Sequence, residues 1–559
     1  MLRLGGILMV LLVCLLPALT LASGRAAVGK SPTKTVRSGK AVKPTATLQP
    51  PSLALRLTMP DVSPQIDPAL VADEENVQLA DLLYTGLVRL DAHYHVQPAA
   101  AQKIDISKDH THYTFHLRHG LQFSNGDPIT ASDFDFSITR SLSPTIKSPS
   151  AAYYLLDIAG ASAVLEGKAK TVSGLQVVDP YTLKITTRWP ITYFLMELTF
   201  PASFALDQKR IMKLGPAVNT RWYAKPISSG PYRLKSLVPN DKIVLVANKH
   251  YVGPKPDIRQ VEISLAPLPA TDLYAYVAHN LDIASLPAYD SSLLHQSGVH
   301  STDALSIDGL YMDLKAKPFN NASVRKALAM ALDRNGTTQK ALGKTVTPFY
   351  GFVPANEPGY DSTVKGPAYS PRAARAMLKS AGYKSGKSFP EISLSYVRDP
   401  ALTRLVNWIA SSWTKNLGIS VNTNALESSA FFTDVQTGSL PLYFYGWSAD
   451  YPDPHDWLSL LWRSSAVNNN VHYHNAQFDK LVASADVTWR VQRRMALYDQ
   501  AQKLLAQDSA WIPLYIPHRV VYVRPGITHI NVTGFGIIPE AGTWSRVQLH
   551  TGNGLSGGQ

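Results

Sequence analysis

Between residues 370 and 446 the chain alternates helical and extended hydrophobic periods, and no other feature restricts the fold as much. Ser370-Pro371 supplies an N-cap and a first helical position, Ala374, Met377, Leu378 and Ala381 recur at helical spacing, and Gly382 ends the run. A strand is expected from Glu391 to Val397. Leu402, Leu405, Val406, Ile409, Trp413 and Leu417 then mark one face of a long helix that stops at Gly418, and Ile419 to Leu426 returns to extended chain. Strand, helix and strand in this order predict a parallel pair with a right-handed crossover. A short helix near 428–437 leads to the apolar strand Leu440 to Tyr445, so an open, helix-covered α/β sheet is expected.

Ligands of such sheets sit beyond the carboxyl ends of the strands. That directs attention to Gly446-Trp447-Ser448-Ala449-Asp450-Tyr451-Pro452-Asp453-Pro454, where prolines stop regular pairing, two carboxylates are presented and Trp447 offers a rigid face. A solvated, proline-rich turn is the competing reading of the same residues.

At 559 residues the chain is too long for one ordinary domain, and two or three lobes are expected. Met1 to Gly6 carry Arg3 and precede an apolar run from Ile7 to Leu21, the order of an export signal. That run contains Pro17 and falls short of the ~20 apolar residues of a spanning helix, so cleavage near Thr20-Leu21-Ala22 is expected rather than an anchor. The only cysteine, Cys14, lies inside the run behind Val13, where a lipidation signal wants a small residue. The mature chain therefore has no disulfide and no thiol ligand or nucleophile.

Ser23 to Pro51 is rich in Ser, Thr, Pro, Ala, Lys and Arg and reads as a flexible basic tether. Of the 54 basic residues seven precede residue 52, where no acid occurs, which leaves 47 against 41 acidic residues, or +6 for the remainder. Nucleic-acid binding loses its compositional support, whereas the tether suits either an anionic membrane or wall surface or a solvated spacer. Further along, Tyr113, Phe115 and Leu117 alternate with His112, Thr114 and His116 in the period of a half-buried strand, and Asn125-Gly126 supplies a turn.

Several separate stretches resemble the family 5 extracellular solute-binding proteins, the peptide and nickel binders of ABC importers. Asp67-Pro68-Ala69 and Leu83-Tyr84-Thr85-Gly86-Leu87-Val88 resemble the family's opening. Tyr113 to Arg118 with Phe123-Ser124-Asn125-Gly126-Asp127-Pro128-Ile129-Thr130-Ala131-Ser132-Asp133-Phe134 resemble its signature. Ser229-Gly230-Pro231-Tyr232, Asn248-Lys249-His250-Tyr251, Pro318-Phe319, Val324 to Leu328, Ala331 to Arg334, the Trp447 to Pro454 run and Ile512 to Tyr515 follow in the family's order.

The resemblance implies an α/β, two-lobed type II periplasmic-binding-protein fold with an extra inserted domain. Its implied organisation is a signal peptide over 1–22, the tether over 23–51, and a discontinuous lobe I from 52–84, 201–305 and 524–550. The extra domain then spans 85–200, lobe II spans 306–523, and 551–559 is a tail. It also implies an extracytoplasmic, periplasmic or membrane-tethered monomer that captures short peptides between the lobes for a permease and ATPase complex, with no cofactor. By the same carry-over Asp450 is the clamp for the peptide's α-ammonium group, while Trp447, Ser448 and Ala449 line a strand-like contact. A partner strand falls at Ala72, Asp73 and Glu74. One departure stands out: the positions of two carboxylate-binding arginines in oligopeptide binders hold Val435 and Phe444 here.

A nickel or other non-peptide solute in the same cleft is the first alternative, prompted by His110, His112, His116 and His119. The family signature accounts for His116-Leu117-Arg118 without metal, and His93, His95, His472 and His474 read as surface strand or loop residues. A hydrolase lacks a usual mark: no His-Glu-x-x-His helix occurs. Asp450 and Asp453 stand three residues apart in a proline-bound turn with nothing else converging on them as an acid and base pair. A sensory binding protein acting through a separate receptor remains the third alternative.

Overall fold

In the computed structural model, the described residues are 54–59, 63–215, 225–265, 275–276, 278, 280–285, 298–343, 345–539 and 542–550. The expected signal peptide, tether, Cys14 and tail lie outside them. Three principal sheets organise the chain. The first runs Ala54–Thr58, Gln260–Ser264, Lys242–Ala247, Tyr232–Val238, with the first pair parallel and the others antiparallel. The second, Ala101–Ile106, His112–Leu117, Thr182–Thr186 and Leu175–Asp179, is antiparallel throughout. Its strand His112–Leu117 buries Tyr113, Phe115 and Leu117 and leaves the alternate residues half-exposed, the period read from the sequence.

The third sheet has eight strands. Its axis is the long strand Trp511–Val523, which pairs with Ile283–Ser285 and Val299–Asp303 toward one end and with Ser306–Met312 and Val346–Pro348 toward the other. From Ser306–Met312 the sheet continues through Leu442–Ser448 and Ile392–Val397 to Val421–Leu426. The last two strands are parallel, as the strand, helix, strand reading requires.

The connecting helix Pro400–Leu417 shows why the local sequence suffices here. Asp399 caps it by accepting the N–H groups of Ala401 and Leu402 at 2.8 Å each, Pro400 occupies the first turn, and Gly418 leaves it at φ 73°. Leu405, Val406, Ile409 and Trp413 are fully buried against the sheet, each side chain contributing about 1.5–3 kcal/mol by leaving water. The buried Trp413 indole satisfies its N–H on the Leu328 carbonyl at 2.9 Å.

Two differences from expectation concern the strand before the candidate site. It begins at Leu442 and runs to Ser448, so Gly446, Trp447 and Ser448 belong to the sheet rather than to a turn. Pairing with Ser306–Met312 carries the strand past Tyr445, and only beyond Ala449 do Pro452 and Pro454 halt it. Likewise Ala72, Asp73 and Glu74 do not form a strand: Asp73 accepts the Asn76 N–H at 2.9 Å and starts the helix Glu74–Leu83. No helix among the described residues is long and apolar enough to cross a membrane.

Candidate functional site

The end of the strand Leu442–Ser448 has one side already occupied. Register pairs Trp447 with Ile307 and Ser448 with Ser306, and Ala449 donates its N–H to the Leu305 carbonyl at 2.7 Å. Residues that bond across an antiparallel pair alternate with residues whose N–H and C=O point the other way. Trp447 and Ala449 thus spend their main-chain groups inside the sheet, and the Trp447 carbonyl also accepts the Ser306 hydroxyl at 3.0 Å. Ser448, exposed between them, turns both main-chain groups to the opposite edge, where Ile392–Val397 pairs only as far as Tyr443. Of the three residues expected to make a strand-like contact, Ser448 has the free orientation for it. Gly446 permits this strand to pass, because a Cβ there would overlap the Asp308 carboxylate.

Asp450 follows directly. It keeps partial contact with solvent, although protein surrounds its carboxylate on most sides. Burial pushes its pKa up to about 6, opposed by the hydrogen bond that the Tyr154 hydroxyl donates to it. Beneath it Asp456 is fully buried, accepting the Trp447 indole N–H at 2.9 Å and the Asp450 main-chain N–H at 3.4 Å. Burial, and then the nearby Asp450 charge, push Asp456 well above the ordinary carboxylate range. Both acids are therefore harder to ionise than a free carboxylate, and a cation placed beside Asp450 would stabilise its charge.

The remainder of the turn is structural. Asp453, presented in the sequence as a second carboxylate, is buried in a two-pronged pair with Arg494 at 2.6 and 2.7 Å. His455 accepts or donates at 2.6 Å to Tyr451 and stacks on Tyr193, and burial holds its imidazole well below its usual pKa. Tyr451 itself packs into the core formed by residues 87–205, among Tyr154 and Tyr193. Two well-formed cavities lie beside other residues, and neither is lined by 447–450.

Asp73 and Glu74 sit on a different element, but a short chain of contacts links them to the site. Arg519 donates to Glu74 at 2.6 Å and to the Gly534 carbonyl at 3.4 Å, Gly534 accepts the Leu305 N–H at 3.1 Å, and Leu305 accepts Ala449. Asp73 is engaged as a helix cap by Asn76. Val435 and Phe444 are each 5% exposed and belong to apolar clusters, so neither can meet a ligand's carboxylate. Of the histidines, His116 bonds Asp105 at 2.9 Å, His110 stacks on Trp489, His119 lies on Tyr181 and His472 bonds Asp313 at 2.9 Å. No group of three or more metal-ligating side chains occurs among the described residues. Sequence reasoning missed Tyr154, Asp456 and Arg519. Asp456 lies close behind the singled-out run, whereas nothing local marks Tyr154 or Arg519.

The α/β fold resembles that of the periplasmic binding proteins with two domains. The structure of Haemophilus influenzae OppA in complex with RPPGFSPFR superimposes with a TM-score of 0.75 at 28% identity, covering 89% of this chain and 99% of that one. Residues 95–469 match the bacterial extracellular solute-binding proteins, family 5 middle region, and the chain belongs to that family. It is 31% identical over 483 residues to the periplasmic oligopeptide-binding protein OppA of Haemophilus influenzae, covering 83% of this chain and 86% of that protein. It is 30% identical over 474 residues to the probable deoxycholate-binding periplasmic protein YgiS of Escherichia coli, covering 82% and 87% respectively. The protein is a solute binder rather than an enzyme.

Proposed function

We propose that this protein is the extracytoplasmic substrate-binding component of an ABC importer and captures short peptides between two lobes. The observation that carries the reading is the placement of Asp450, which keeps partial contact with solvent, directly after the outward-facing main chain of Ser448. An arriving α-ammonium group pairs with the ionised Asp450 carboxylate. The extended peptide then pairs its backbone with Ser448, which gives affinity independent of side chains. An unsatisfied backbone group enclosed with the ligand would cost about 1–3 kcal/mol, so this pairing matters. Tyr154, on a separate part of the chain, holds the carboxylate in position until the ligand replaces it.

The lobes in this reading are those of a type II fold: 52–84, 201–305 and 524–550 for lobe I, 306–523 for lobe II, and 85–200 as the inserted domain. Its partners are a membrane permease and ATPase, and its place is the periplasm or the outer face of the cytoplasmic membrane. The apolar, buried Val435 and Phe444 favour ligands whose far end is not clamped there, such as longer peptides, modified peptides or another amine-bearing solute.

Calorimetry against di- to octapeptides tests the proposal. Some with an unblocked amino terminus bind, and N-acetylation of the best ligand or Asp450→Ala weakens binding tenfold or more, about 1.4 kcal/mol. Unchanged affinity in both tests removes Asp450 from the site.

A further inference from the structure

A second cavity, of about 390 Å³, lies far along the chain from Asp450, where residues 81–89, 99–134, 204–254 and 542–546 meet. Arg89, Arg118 and Arg546, from three separated stretches, line it together. The Nε of Arg89 is buried and has no hydrogen-bond partner. Gly542, at φ +64°, leaves room beside it: a Cβ there would stand 3.0 Å from Arg89 Cδ and 3.1 Å from Nε. Arg118 commits only its Nε, to the Ala99 carbonyl at 2.9 Å, and the exposed Arg546 side chain makes no hydrogen bond or ion pair among the described residues.

The charges are not balanced from within. Burial lowers the pKa of the Arg89 guanidinium; Tyr251 opposes this, the nearby Arg118 and Arg546 charges lower it further, and Asp91 has the smallest opposing effect. Asp81, the one carboxylate in the lining among the described residues, is exposed to solvent and forms no ion pair with any of the three arginines. Three guanidinium groups around one cavity repel one another, and a buried donor without an acceptor adds to the cost. A single anion would offset both, and planar guanidinium forks match the oxygen geometry of phosphate.

We propose that this cavity is an anion site for a phosphate-class oxyanion, independent of the peptide reading of Asp450. The phosphate belongs either to a free solute or to a lipid headgroup, and the two arms of one experiment separate them. The mature protein is titrated by calorimetry with sodium pyrophosphate, against sodium chloride of equal ionic strength, and sedimented with phosphatidylglycerol or phosphatidylcholine vesicles. Arg89→Gln and Arg546→Gln are carried through both arms, the second because an exposed substitution leaves folding intact.

The expected result is pyrophosphate binding that either variant weakens at least tenfold. A free solute is indicated when vesicle sedimentation is the same in wild type and Arg546→Gln. A headgroup is indicated when Arg546→Gln reduces sedimentation with phosphatidylglycerol and pyrophosphate competes. The proposal is overturned if pyrophosphate acts no differently from chloride, or binds Arg546→Gln as tightly as wild type. Loss of peptide binding by Asp450→Ala bears on neither outcome.

Discussion

Arg519, in the middle of the strand Trp511–Val523, donates to Glu74 at 2.6 Å and so ties the helix Glu74–Leu83 to the axis of the largest sheet. Both side chains are about a quarter to a third exposed, at 24% and 32%. Solvent therefore weakens the pair relative to a fully buried one. Arg519→Met should lower stability by about 1–2 kcal/mol, the range of a charge-assisted hydrogen bond with partial screening. Urea denaturation measures this, and an unchanged midpoint would show that the contact contributes nothing.

The Asp453 and Arg494 pair predicts a larger loss. Both are buried, at 7% and 5% side-chain exposure, and bonded through two prongs. Removing one partner strands the other charge, at roughly 3–5 kcal/mol. Arg494→Met should shift the denaturation midpoint far more than Arg519→Met, and an equal shift would contradict the assignment.

Ligand affinity should depend on pH with a defined sign. Asp450 titrates at about 6 without ligand, with Asp456, Tyr154, Tyr153 and Tyr445 as its electrostatic neighbours. Ammonium binds the ionised carboxylate, so affinity is full above that pKa and falls as pH drops through it, by up to about tenfold per pH unit. Calorimetry between pH 5 and 7.5 should show this in the wild type, and Asp450→Asn should bind weakly with a flatter profile. A wild-type affinity that rises toward pH 5 would refute the clamp.

Ser448→Pro removes one N–H without touching the pairing to Ser306–Met312, because that N–H points to the other edge. The variant should fold, keep its thermal midpoint within a few degrees, and bind peptide at least tenfold more weakly. Retained affinity would place the ligand's backbone elsewhere.

The helix Pro400–Leu417 and the parallel strands around it were legible from a local pattern: a hydrophobic face recurring every three or four residues, closed by a terminal glycine. The same holds for the half-buried strand His112–Leu117 and for the family signature. Roles of acids were not legible in that way. Asp450 and Asp453 look alike in the sequence, yet one keeps partial contact with solvent and the other meets an arginine 41 residues away. Glu74 reads as part of a strand until Asp73 caps a helix and Arg519, 445 residues distant, claims its carboxylate. By itself the sequence determined most helices and strands of the 370–446 stretch and the family they compose, because those follow from spacing between neighbours. Which carboxylate is available to a ligand was decided only by the tertiary structure, since burial and charge pairing depend on residues that chain order keeps far apart.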